Sequence, residues 1–208
     1  MTPESALLLI DVQPCFMPGG ELPVADGHLV VPVINRLLAR FDHAVATQDW
    51  HPPGHVSFAS RHGRPAYESI TLPYGPQTLW PDHALQGSAG AALHADLQLD
   101  RVQAVIRKGF RPEMDSYSAF FENDHRTPTG LAGYLRERGL GRLFLVGLAA
   151  DFCVAWSAED AARLGFAVTI IEDATRGIGL PEAEGTTMDS ARRRLAALGV
   201  RFTDSLSL

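Results

Sequence analysis

The sequence predicts a doubly wound α/β fold: a mostly parallel six-stranded sheet with helices on both faces, in three layers. Three observations predict it. Short apolar runs alternate with helix-patterned segments along the chain, the signature of strand–helix–strand units. The strongest of these runs are apolar throughout, as strands covered on both faces by helices must be. With 208 residues, 46% hydrophobic and 20% charged, the chain can bury one sizeable core, and residues 1–208 read as a single domain.

The elements follow in order. ALLLIDV (6–12) is a compact apolar run ending in an acid, a buried parallel strand, and HLVVPVINRLLARF (28–41) repeats apolar residues at helical spacing. HAVATQDW (43–50) and QAVIRKGF (103–110) are the second and third strands. LAGYLRERG (131–139) is a helix stopped at Gly139, and RLFLVGLA (142–149) is the strongest strand signal in the chain. DFCVAWSAEDAARLG (151–165) is a helix with Asp151 as N-cap and Gly165 as its stop. AVTIIEDA (167–174) is a fifth strand, EAEGTTMDSARRRLAALG (182–199) mostly helix, and VRFTDS (200–205) a short sixth strand. The exception is the connection from 51 to about 100, rich in Pro and Gly, with AGAALHADL (89–97) as its one helix candidate. So long a connection inside a compact domain is functional or carries structure of its own.

Composition narrows the function classes. A formal net charge of −6 without a basic stripe argues against nucleic acid or an anionic membrane as partner. MTPESALLLIDV has no charged leader and too short an apolar run for a signal peptide, and no run approaches the ~20 residues of a spanning helix. With only Cys15 and Cys153 there is no disulfide framework or CxxC metal pattern, so the expected setting is cytoplasmic, with reduced thiols.

In doubly wound sheets, ligands bind at the carboxyl ends of the strands. Here the first strand ends in Asp11, the second in Asp49 with His51 two residues on, the third in Lys108, and the fourth just before Cys153. An arbitrary cysteine is more often a small buried hydrophobe. At the start of a helix after a strand, however, exposed N–H groups and the helix dipole favour a thiolate. Lys108 would lower the thiol pKa further, and Asp11 could accept its proton. Taken alone, Asp11 reads equally as an ion-pair or turn residue and Lys108 as a solvated lysine; together with Cys153 they make an acid–base–nucleophile set.

QDWHPPGHVSF (48–58) carries the metal expectation. Alternate residues of a strand face one side, so Asp49 and His51 can chelate one ion. His55 lies four residues on, and His83 in WPDHALQGS could close the site. One carboxylate with imidazoles suits zinc, iron or manganese with positions left open, although an isolated D-x-H is more commonly a surface turn. His28, His43, His62, His94 and His125 read as surface or structural.

Taken together, ALLLIDVQPCF, DWHPPGHVSF, WPDHALQGS, IRKGF, DSYSAF and VGLAADFCVAWSAEDAARLG resemble, in order and approximate spacing, the nicotinamidase/pyrazinamidase family of isochorismatase-like cysteine hydrolases. The resemblance spans residues 5 to about 175. It implies an Asp11–Lys108–Cys153 triad and one divalent metal, zinc first and iron or manganese next, on Asp49, His51 and His83. His55 matches a histidine that ligates directly in some members and stands behind the ligands in others. Phe16, Trp80 and Tyr117 match aromatics that line a pyridine pocket. The Leu148–Ala149 bond matches a cis peptide, with the N–H groups of Ala149 and Cys153 as oxyanion hole, and Leu148 and Phe152 are counted with the substrate-binding residues. The implied reaction is hydrolysis of nicotinamide to nicotinate and ammonia, with pyrazinamide also accepted. Another small amide or an N-carbamoyl compound is the alternative substrate, and a silent binding domain the alternative outside catalysis. Two departures stand out. Pro14-Cys15 replaces the family's usual Asn-Asp and brings a second thiol near the site; Phe152 replaces a polar residue or histidine.

Overall fold

In the computed structural model, which describes Thr2 and residues 4–208, the apolar runs pair as expected. In chain order the strands are β1 (Ser5–Ile10), β2 (His43–Asp49), β3 (Ser69–Leu72), β4 (Gly75–Thr78), β5 (Ala104–Lys108), β6 (Arg142–Leu148), β7 (Ala167–Arg176), β8 (Pro181–Glu182), β9 (Gly185–Thr186) and β10 (Arg201–Thr203). Six of them form one sheet in the order β10-β7-β6-β1-β2-β5, every neighbouring pair parallel. β3–β4 and β8–β9 are separate antiparallel hairpins.

The helices are α1 (Val30–Leu38), α2 (Ala59–His62), α3 (Leu131–Glu137), α4 (Cys153–Arg163) and α5 (Thr187–Ala197). α1 buries Val30, Val31, Ile34, Leu37 and Leu38, one face at helical spacing. α4 buries Val154, Ala155, Ala158 and Ala161 against β6 and β7 and packs on α5. Right-handed crossovers put α1, on the way from β1 to β2, on one face, and α4, on the way from β6 to β7, on the other. Between them the centre of the sheet is buried: every residue of β1 is buried, Leu7, Leu8, Leu9 and Ile10 at no more than 1% exposure. Burial of each such side chain contributes about 1.5–3 kcal/mol.

The chain runs outward in opposite directions from β1 and β6, so these two adjacent strands form the topological switch point where a doubly wound sheet opens its ligand crevice. They approach tightly there. Gly147 has φ +109°, and a β-carbon on it would lie 2.1 Å from the Ile10 carbonyl oxygen.

Three expectations are corrected. AGAALHADL forms turns instead of a helix, because its backbone serves the site loops. Gly90 O accepts from Cys15 N, Ala91 O from the Gln13 and Gln48 amides, and His94 N donates to Val12 O. The helix expected over 182–199 begins only at Thr187: Gly185 takes φ +89° in the β8–β9 hairpin, and Thr186 with Asp189 forms a capping box. Asp151 is not the N-cap of α4. Phe152 holds that position, and the Asp151 carboxylate turns away to Ile178 N, Gly179 N and Thr187 Oγ1. No helix among the described residues is long and apolar enough to cross a membrane.

Candidate active site

The switch point and the two strands beside it deliver their end residues to one place. Asp11 leaves β1 at φ +47°, a left-handed conformation that aspartate tolerates. Thr47 on the neighbouring β2 fixes it: Asp11 N donates to Thr47 Oγ1 at 3.0 Å, and that hydroxyl donates to Asp11 Oδ1 at 2.6 Å. Asp49 and Lys108 are register partners on β2 and β5. Gln13 holds Asp49 through its backbone, accepting from Asp49 N and donating to Asp49 O. Lys108 Nζ lies 2.7 Å from Asp11 Oδ2 and 2.7 Å from Asp49 Oδ1, donates to Ser116 O, and reaches Cys153 Sγ at 3.5 Å.

Lys108 is 1% exposed. Burial alone would neutralise it, but Asp11, Asp49 and Cys153 hold its pKa well above the ordinary value. Asp49 is the mirror case: burial would raise it, and Lys108 and His51 outweigh burial to hold it well below the usual carboxylate range. Asp11 goes the other way. Burial raises it, Asp49's charge adds to the rise, and Lys108 offsets only part. The Cys153 thiol is likewise pushed well above its ordinary value by burial, with Lys108 lowering it and Asp11 and Asp49 raising it. Against the expectation of a depressed thiol pKa, burial outweighs the lowering by Lys108 here. A carboxylate with a raised pKa beside a thiol is arranged to take the proton during attack rather than before it.

The turn between β6 and α4 contains a cis Leu148–Ala149 peptide, as the resemblance implied. Ala150 N donates to Arg176 O, and Phe152 N and Val154 N to Ala149 O. Among the described residues the N–H groups of Ala149 and Cys153 have no acceptor. They are therefore free to bind an oxyanion.

Beside the triad, His51 Nε2 lies 3.1 Å and His83 Nε2 3.5 Å from Asp49 Oδ2. Each ring is aimed by its other nitrogen, His51 Nδ1 at 2.8 Å from Gly109 O and His83 Nδ1 at 2.8 Å from Pro81 O. Carbonyls behind imidazoles that share one focus are the support found around metal ligands, so this donor set fits a divalent metal. Gly109 is part of that support: it has φ +63°, and a β-carbon would fall 2.4 Å from His51 Cε1. His55 stacks on His51 with ring centroids 4.2 Å apart. Its Nδ1 meets Ser57 Oγ and its Nε2 meets Met114 O, and burial, with His51 adding to it, pushes its pKa down to about 4. Both its nitrogens are thus engaged within the protein, and His51, His55 and Asp115 form a second cluster of potential ligating atoms.

The cleft over these groups has aromatic walls. Phe16 meets His83 edge-on, and Phe152 meets Trp80 edge-to-face at 4.8 Å. Trp80 Nε1 and Gln77 Nε2 both donate to Tyr117 Oη. Leu148 is not in the lining. It is fully buried, its δ-carbon facing Gly27, because the end of β6 directs it into the core. Cys15 likewise does not line the cleft; it is fully buried close to Asp49 and Asp11, and burial raises its thiol strongly. Leu22, Ile178 and Asp115 complete the lining without having been foreseen, and Gln13, Thr47, Gln77 and Gly109 hold it in place. Their residue types carry no local catalytic signal; only a β2–β5 pairing deduced in advance would have pointed to Thr47.

Comparison with known proteins agrees with this geometry. The isochorismatase domain model matches residues 5–201. A nicotinamidase from Acinetobacter baylyi is 48% identical over 98% of this chain and 94% of its own. The chain belongs to the isochorismatase family, in its nicotinamidase/pyrazinamidase branch. The solved nicotinamidase/pyrazinamidase of Acinetobacter baumanii superposes on this hydrolase with a TM-score of 0.95 at 47% identity, covering 100% of this chain and 99% of that one. The pyrazinamidase of Pyrococcus horikoshii, solved in complex with zinc, has a TM-score of 0.77 at 34% identity over 97% and 99% of the two chains.

Proposed function

We propose that this protein is a nicotinamidase, hydrolysing nicotinamide to nicotinate and ammonia, and pyrazinamide to pyrazinoate, through a thioester on Cys153. The observation that carries this reading is the meeting of Lys108 with Asp11, Asp49 and Cys153 within 3.5 Å, beside two imidazoles focused on Asp49.

The pyridine ring lies between Phe16, Trp80, Tyr117 and Phe152. Asp49, His51 and His83 would hold the metal; zinc suits one carboxylate and two imidazoles, and the zinc-bound Pyrococcus pyrazinamidase supports that choice over iron or manganese. When bound, such an ion polarises a ring nitrogen and fixes the ring's orientation. Asp11 removes the Cys153 proton as the sulfur attacks the carboxamide carbon. Lys108 stabilises the charge wherever the proton leaves it. The N–H groups of Ala149 and Cys153 hold the oxyanion, an interaction typically worth about 3–4 kcal/mol per donor. Asp11 returns the proton to the leaving nitrogen, and ammonia departs. Asp11 then deprotonates a water that cleaves the thioester, releasing nicotinate and the free thiol. Two free cysteines support a reducing, cytoplasmic setting.

The test is ammonia release over a panel of nicotinamide, pyrazinamide, N-carbamoyl compounds and simple aliphatic amides. Turnover of the two aromatic amides well above the others is expected. Preference for an N-carbamoyl compound would move the protein to another branch of the family.

A further inference from the structure

Asp151 stands in the catalytic turn, two residues before Cys153 and one before Phe152, yet its carboxylate contributes nothing to the α4 cap. It is 3% exposed and fully engaged elsewhere. Oδ1 accepts from Ile178 N at 2.9 Å, and Oδ2 accepts from Gly179 N at 2.8 Å and from the Thr187 hydroxyl. Thr187 Oγ1 in turn accepts from Leu180 N at 2.9 Å, and Thr187 N donates to Leu180 O at 2.9 Å. The whole strap from the end of β7 to the start of α5, hairpin included, is thus gathered onto one carboxylate. Ile178, the first residue so held, lines the cleft that also contains Phe152 and Cys153.

We propose that Asp151 is a positioning residue for the substrate: it clamps the 177–187 strap so that Ile178 forms a fixed apolar wall of the cleft that Phe152 also lines. The inference rests on the amidase reading above and adds to it a part of the recognition surface. The carboxylate suits the task because it offers two acceptor oxygens to two backbone N–H groups and a hydroxyl. An asparagine would present an N–H₂ to one of those donors and leave it unpaired. The effect belongs in ring binding, since Ile178 can touch the ring but is not part of the triad. A role confined to folding would instead lower stability and leave the KM of the folded enzyme alone.

The experiment measures steady-state ammonia release from nicotinamide, with thermal unfolding alongside, for Asp151→Asn, Ile178→Ala, their double variant and Thr187→Val. Asp151→Asn is expected to raise KM roughly tenfold while kcat changes less than about threefold. Ile178→Ala raises KM as well, and in the double variant Asp151→Asn adds nothing further, because its effect runs through that wall. Thr187→Val raises KM in the same direction and decides the matter if Asp151→Asn does not fold. An unchanged KM in folded Asp151→Asn or Thr187→Val overturns the proposal, as do multiplying KM effects in the double variant. Wild-type protein that releases no ammonia from nicotinamide overturns the amidase reading itself, a result these variant comparisons do not imitate.

Discussion

Lys108 keeps its charge at 1% exposure because two carboxylate oxygens approach its ammonium to 2.7 Å. Its neighbours then divide the remaining electrostatics unequally: Asp49 is held ionised, while Asp11 and Cys153 are both shifted towards their protonated forms. The helix-start argument favoured a thiolate at Cys153, whereas burial raises its pKa. A dipole and one ammonium do not outweigh complete burial with two carboxylates close by, and burial is a property of the fold that local sequence does not display. Gly109 makes the same point for the metal site. Its carbonyl aims His51, and a side chain there would collide with the ring it aims. Gly109→Ala is therefore expected to weaken metal affinity at least tenfold, the scale of losing support behind a ligand. Metal titration of the purified variant, with circular dichroism to confirm folding, checks this.

Elements were legible where hydrophobic period alone decides them. β1, β6 and α4 fall close to the expected runs because a strand buried on both faces and an amphipathic helix are each written in their own residues. AGAALHADL failed because its carbonyls are claimed by Gln13, Gln48 and Cys15, partners about 40 to 80 residues away in sequence. The start of α5 at Thr187 has a local reason: T-x-x-D at 186–189 is itself a helix-start signal. That box predicts two outcomes. Thr186→Ala should cost about 1 kcal/mol in urea unfolding. Asp189, held below its usual pKa by Thr186 hydrogen bonds, stabilises the fold above the unfolded carboxylate pKa of about 3.9 and loses that contribution as pH falls through its lower folded value. Wild type should consequently lose stability below about pH 4 by more than Asp189→Ala does. Equal acid sensitivity in unfolding series from pH 5 to pH 2 would count against the box.

At the scale of the whole molecule, reversal of the strand order between β1 and β6 explains why four sequence-distant residues share one site. Alternation of strands and helices made the sheet predictable, and the strand ends put Asp11, Asp49, Lys108 and Cys153 at one edge of it, where they meet. In the long connection His83 and Trp80 were legible from their motif and the resemblance; Gln77, which donates to Tyr117 Oη beside them, was not. On the proposed reading, a metal on Asp49, His51 and His83 would orient the substrate while the fold stands without it. Chelation should abolish ammonia release while leaving the far-ultraviolet spectrum unchanged, and zinc should restore activity. Persisting activity in metal-free protein would remove Asp49, His51 and His83 from substrate orientation.

Covalent catalysis by Cys153 is the central claim, and acid quench of the enzyme during nicotinamide turnover tests it most directly. Mass spectrometry of the digested protein should find a nicotinoyl group on the peptide carrying Cys153, absent from Asp11→Asn and Cys153→Ala, with ammonia release lost in both. Turnover by Cys153→Ala, with no acyl group on the wild-type peptide, would contradict the account.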